Sequence, residues 1–181
     1  MKKVFTIALA LIISMPLFAE KPEVSEEKNV LKVNTLSLIV GTGSVFYERE
    51  ISDLTSAQLG VAYLNYKFGD TRFSGIILTP EVRIYAKQDA IDGFYIGPYV
   101  RYQNYNVAVD ESNDEAGYTN FGGGVSLGRQ WVTNSGFTMD LFFGGHYATG
   151  IASAELEGES FESDRFEGFR TRIGFALGFA F

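Results

Sequence analysis

The chain holds few residues of the kinds that do chemistry, and their spacing limits what that chemistry could be. His146 is its one histidine and it has no cysteine, so thiol nucleophiles, thiolate metal sites, disulfides and thiol acylation are excluded. Asp140 falls on the same predicted strand face as His146. Six residues of extended chain put the two about 20 Å apart, at roughly 3.3 Å per residue, too far for a hydrogen-bonded dyad. Two acidic clusters, Asp110-Glu111-Ser112-Asn113-Asp114-Glu115 and Glu155, Glu157, Glu159, Glu162 and Asp164, offer oxygens that suit calcium or magnesium. The first lacks the glycine and terminal glutamate of a calcium loop, and both read as solvated loops. No glycine motif follows a strand and opens a helix to cradle phosphate. No catalytic, cofactor or metal site is assigned. What remains is a scattered set of both charge signs: Glu48, Glu81, Arg83, Arg101, Asp140, His146, Arg170 and Arg172.

Whether that set acts together depends on the elements that carry it. Eight strand-like segments separated by turn signals follow Asn29, approximately Val30–Gly41, Ser44–Ile51, Ser56–Tyr66, Phe73–Ala86, Phe94–Val107, Thr119–Val132, Phe137–Tyr147 and Phe169–Phe181. The last has the cleanest period of two. Phe169, Thr171, Ile173, Phe175, Leu177, Phe179 and Phe181 share one face, and Arg170, Arg172, Gly174, Ala176, Gly178 and Ala180 share the other. A half-buried soluble strand would carry larger solvated side chains on its polar face. A small or cationic second face is what the inside of a narrow barrel requires when its outside is apolar.

Two other segments obey the same rule. Phe137, Met139, Leu141, Phe143 and Tyr147 alternate with Thr138, Asp140, Phe142, Gly144 and His146, and Ile76, Leu78, Pro80, Val82 and Ile84 alternate with Thr79, Glu81 and Arg83. The rule sends the charged set inward, beside Tyr95, Tyr99 and Gln103. An eight-stranded barrel is just wide enough for side chains to fill, so Glu81, Asp140 and the arginines are expected to form a salt-bridge network rather than line an open pore. Pro80 and Pro98 interrupt predicted strands, and a local bulge is expected at each. Arg129, outward beside Trp131, is expected to reach an interface that the indole anchors.

The two ends and the composition point to an envelope location. Met1–Ala19 carries Lys2 and Lys3, an apolar run from Val4 to about Ile13, then Ser14, Pro16 and Ala19, the order of a secretory signal peptide. Leu17 stands where a cleavage site prefers a small residue. Residues 20–29 read as a flexible periplasmic leader and 30–181 as the barrel. Removing the signal leaves 13 basic against 22 acidic residues, a net charge of −9, which offers no footprint for nucleic acid. The composition is 46% hydrophobic, yet no later apolar run approaches the roughly 20 residues of a spanning helix, so a membrane would be crossed by strands.

An even strand count returns both termini to one side, where barrels keep short turns. Ser52–Thr55 and Thr133–Gly136 are tight and Lys87–Gly93 is moderate. On the opposite side lie the longer, acidic Asp110–Gly117 and Ala148–Gly168 connections. The termini are therefore expected in the periplasm and these loops outside, with the Thr42–Gly43 connection anomalously short for an outer loop.

Phe181 with apolar residues at every second position upstream resembles the signal by which outer-membrane barrels are recognised by their assembly machinery, carried here by Ile173, Phe175, Leu177, Phe179 and Phe181. Internal segments add to it: Pro80-Glu81-Val82-Arg83-Ile84-Tyr85, Gly93-Phe94-Tyr95-Ile96-Gly97-Pro98-Tyr99, and Gly122-Gly123-Gly124 with Leu127-Gly128-Arg129-Gln130-Trp131. Over most of the chain after Asn29 it resembles an uncharacterised family of small barrels within the OmpA/OmpX-like superfamily. The resemblance implies an all-β, eight-stranded antiparallel transmembrane up-and-down β-barrel in the bacterial outer membrane. It implies no activity. His146-Tyr147-Ala148-Thr149 departs from the His-x-Ser arrangement of the lipid A deacylases.

The function expected is non-enzymatic, structural or in surface interaction through the acidic outer loops. Its partners would be outer-membrane lipid and lipopolysaccharide and, during insertion, the barrel-assembly machinery, with the protein a monomer. The alternatives are a narrow channel, a lipid-modifying enzyme using His146, and a soluble periplasmic barrel around an apolar ligand.

Overall fold

A computed structural model describes residues 27–39, 41–69, 71–86, 90–109, 115–154 and 167–181. Eight strands run in chain order, β1 Asn29–Asn34, β2 Thr42–Ser52, β3 Thr55–Phe68, β4 Thr71–Tyr85, β5 Gly93–Val109, β6 Glu115–Val132, β7 Phe137–Ala154 and β8 Gly168–Ala180, with one helical turn, α1 Thr35–Leu38, after β1. Each strand pairs antiparallel with its neighbour in sequence, and β1 pairs with β8 to close an up-and-down barrel. Asn29 and Phe181 exchange backbone bonds of 3.0 and 2.8 Å across that seam. Closure leaves no strand edge unpaired.

Because side chains alternate along a strand, closure fixes the inward set. In β8, Arg172, Gly174, Ala176 and Ala180 are buried, whereas Phe169, Ile173, Phe179 and Phe181 are exposed. In β7, Thr138, Asp140, Phe142 and His146 are buried and Phe137, Phe143 and Tyr147 are exposed; β4 buries Thr79, Glu81 and Arg83. The exterior is therefore the apolar face of the sheet.

Three expectations need correction. The first strand stops at Asn34, not near Gly41. Asn34 Oδ1 accepts from Ser37 N at 3.3 Å, and Ser37 Oγ is 2.8 Å from both Asn34 O and Thr42 O. Asn and Ser side chains compete here with the ladder and start a helical turn. The connection is thus Thr35–Gly41, and Thr42 and Gly43 belong to β2, which removes the anomaly of a two-residue loop.

No bulge forms at either proline. Leu78 pairs with Tyr102, Glu81 with Tyr99 and Ile84 with Ile96, a single register past both Pro80 and Pro98. Pro80 keeps its pairing to Leu59 of β3, and Pro98 its pairing to Val125 of β6. Both imino nitrogens therefore fall in the one β4–β5 seam, where the ladder tolerates the gaps without shifting.

The β6–β7 hairpin outruns its predicted length, its register continuing to Ala116↔Ala154. Small residues such as Ala148, Gly150 and Ala152 read as loop in isolation, but a neighbouring strand satisfies their backbone. The signal peptide, leader residues 20–26, and acidic residues 110–114 and 155–166 lie outside the described residues.

At the end of the barrel where the termini meet, residues 90–92, which lead into β5, fold under the strands. Ala90 N donates to Asp53 O at 2.9 Å, and Gln130 Nε2 to Ile91 O at 2.7 Å. Ile91 has φ of 71°, a left-handed conformation that costs a β-branched residue about 1–3 kcal/mol. Its side chain is 1% exposed in an apolar cluster with Val30, Val132 and Ala180, and that burial offsets the strain. Gly136, at φ of 83°, makes the β6–β7 turn at the same end, where a Cβ would stand 2.7 Å from Ala180 O.

Candidate functional site: a two-part lumen

Above the Ile91 cluster sits a layer of buried charge. Lys32 Nζ of β1 is 2.6 Å from Glu48 Oε2 and 2.9 Å from Asp140 Oδ2, and it also donates to Gln130 Oε1. Arg83 Nη1 of β4 reaches the same two carboxylates at 3.1 and 2.9 Å, and its Nε lies 3.0 Å from Glu81 Oε1. Arg172 Nη1 of β8 lies 2.5 Å from Glu81 Oε2. Neutral donors complete the shell: Ser56 and Tyr85 donate to Glu48 at 2.5 and 2.6 Å, Tyr95 to Asp140 at 2.9 Å and Ser126 to Glu81 at 3.0 Å.

Three cations thus meet three carboxylates, and every strand contributes at least one member. Burying charge is expensive, and it is sustained here because each carboxylate oxygen in the layer has a donor. The Arg83 guanidinium also stacks on Tyr95, 4.1 Å from the ring centre. Side chains fill this half of the barrel, so it is a plug.

Phe46 and Phe142 roof the plug edge to face, with ring centres 5.9 Å apart. Arg172 passes between the two regions, 4.7 Å from the Phe142 ring and 4.6 Å from Tyr99. Beyond it, towards the end that carries α1, the lumen opens into a cup of about 610 Å³. Asn34, Ser44, Thr79, Arg101, His146 and Arg172 line it, with Arg170 at its mouth. His146 Nδ1 is 3.1 Å from Tyr99 Oη, and Arg101 Nη1 is 3.4 Å from Thr79 Oγ1. Arg101 Nε and His146 Nε2 are buried without hydrogen-bond partners.

The family comparison agrees in extent with this architecture. The family described as "Protein of unknown function (DUF3575)" matches residues 7–165. The chain belongs to the DUF3575 family. The DUF3575 match spans β1 to β7, leaving β8 to close the barrel. No curated protein matches the chain, and no solved structure does.

The expected inward residues of this DUF3575 chain divide between the two regions. Glu48, Glu81, Arg83, Asp140 and Arg172 meet in the plug; Arg101, His146 and Arg170 stand at the cup. Asp140 gives its oxygens to Lys32, Arg83 and Tyr95, and Phe142 and Gly144 are the inward residues between it and His146. The two form no dyad. Among the described residues no group of three or more His, Asp or Glu is placed to hold a metal ion. No described helix is long and apolar enough to cross a membrane, which bears on helices alone. Sequence reading missed Lys32 and Gln130, both fully buried in the plug. Leu31 and Val33 flank Lys32 with outward parity, and that alternation was the signal available.

Proposed function

We propose that the protein is a non-enzymatic integral outer-membrane barrel of the OmpA/OmpX-like kind, a sealed platform serving a structural or surface-interaction role through its acidic loops. The observation that carries the reading is its inverted polarity. Six charged side chains are buried at the centre, while Phe94, Phe143, Phe169 and Ile173 are each at least 60% exposed on the outside. In water such a belt is an aggregation hazard, whereas in a bilayer it is the solvated face. This polarity is opposite to that of a soluble barrel around an apolar ligand.

Arg129 fits the same setting. Its guanidinium lies 4.5 Å from the Phe94 ring and 5.2 Å from Trp131, the pairing of a snorkelling cation with an interfacial aromatic anchor. With the termini in the periplasm, the Ile91 cluster closes the periplasmic mouth, and the acidic connections and the cup face outward. The plug argues against a channel, and the absence of a His146–Asp140 dyad argues against lipid chemistry through His146. Outer-membrane lipid and lipopolysaccharide would surround a monomer inserted by the assembly machinery.

Cell fractionation with heated and unheated gel migration tests the reading. The protein is expected in the outer-membrane fraction with heat-modifiable mobility, and purified protein is expected to give no stepwise conductance in planar bilayers. A soluble periplasmic species that migrates identically with and without heating would overturn it.

A further inference from the structure

The plug pairs each of its cations with a carboxylate, and the described lining of the cup above it brings none. Glu81 answers Arg172, but Arg101 makes no ion pair among the described residues, and none of the described residues lining the cup is an aspartate or glutamate. The lining instead brings the guanidinium groups of Arg101 and Arg172 together with His146. An uncompensated guanidinium in a low-dielectric hollow attracts an anion strongly.

Two buried donors point to the same ligand chemistry. His146 is 4% exposed. His146 Nε2 has no partner and carries the imidazole N–H in the tautomer whose Nδ1 accepts from Tyr99 Oη; Arg101 Nε likewise has none. Buried polar atoms are seldom left unpaired; Arg83 Nη2 in the plug is another, but these two border an open cavity that a ligand can enter. Arg101, His146 and Arg172 come from β5, β7 and β8, so their donors converge from three walls. That arrangement suits a tetrahedral oxyanion, whereas a planar carboxylate is satisfied by one guanidinium fork. The volume of about 610 Å³ exceeds what a bare phosphate fills and falls within the roughly 300–1,000 Å³ of small-molecule sites. Asn34, Ser44, Thr79 and Gln103 supply neutral hydrogen-bonding groups to the walls.

We propose that the cup binds a phosphate monoester carried on a sugar-sized polar body, with Arg101, Arg172 and His146 holding the phosphate. The body is either a free sugar phosphate or the phosphorylated sugar headgroup of a lipid. Arg101 and His146 reach the phosphate from the walls, and Arg172, held by Glu81, meets it from the floor.

Calorimetric titration of the detergent-purified full chain tests this with glucose 1-phosphate, inorganic phosphate, unphosphorylated glucose and mixed micelles carrying lipid A. Glucose 1-phosphate is expected to bind and glucose not to bind. Arg101→Gln is expected to weaken binding about tenfold to hundredfold, in line with loss of a charge-assisted bond; His146→Gln is expected to weaken it less, and Arg129→Gln, on the outer wall, not at all. Binding of lipid A alone, with the same dependence on Arg101, assigns the lipid as source. Heat-modifiable migration verifies the fold of each variant, and if Arg101→Gln fails that check, His146→Gln carries the test. No binding of any phosphorylated probe, equal binding of glucose, or affinity unchanged in these cup variants would overturn the proposal.

Discussion

The two halves of the lumen use the same residue types to opposite ends. In the plug, Arg83 is surrounded by Glu48, Glu81 and Asp140, and a shell of hydroxyls completes the carboxylates. In the cup, Arg101 has Thr79 for a neighbour and no carboxylate among the described lining residues. An arginine answered by carboxylates binds the barrel to itself, and an arginine left unanswered is available to something else. The difference shows that inward parity alone does not give a charge its role; depth along the strand does.

The largest expected effect comes from breaking the closed half. Arg83→Met should lower stability by about 3–5 kcal/mol, because three carboxylates lose a shared cation while remaining buried. Urea titration of the protein folded in lipid vesicles measures it. Arg172→Met tests the residue that belongs to both halves. Glu81 would keep Arg83 and Ser126, so the loss should be about 1.5–3 kcal/mol in the same titration, the range of a charge-assisted hydrogen bond.

Smaller changes are expected around the open half. Asn34→Ala removes the side chain that starts α1 at the rim and should cost about 1 kcal/mol. Arg101→Gln should change stability by less than about 1 kcal/mol in either direction, since no carboxylate is left unpaired. A loss from Arg101→Gln as large as that from Arg83→Met would erase the distinction between plug and cup. The subtlest test is hydrogen exchange, where backbone amides flanking Pro80 and Pro98 in the β4–β5 seam should exchange faster than those of the paired β6–β7 seam.

Much of the barrel was legible because a period of two is a local property. Ile173, Phe175, Leu177, Phe179 and Phe181 declare one face of β8 without reference to any other strand. Strand ends were less legible. Asn34 and Ser37 end β1 by side-chain bonds that alternation does not register, and Ala148–Ala154 is strand because β6 lies beside it. The β4–β5 connection read as an ordinary turn, yet Ile91 closes the lumen from a left-handed backbone conformation that its residue type disfavours.

From sequence alone came the strand count and the rule of alternation, and hence that Glu48, Glu81, Arg83, Arg101, Asp140, His146, Arg170 and Arg172 face one interior, though not Lys32 or Gln130. The tertiary structure decided which of them meet. Lys32 and Asp140 stand 108 positions apart on strands that do not pair with each other, and they touch only across the lumen. Such contacts depend on register and on height along the barrel, which closure sets for all eight strands together, and no single segment contains that information.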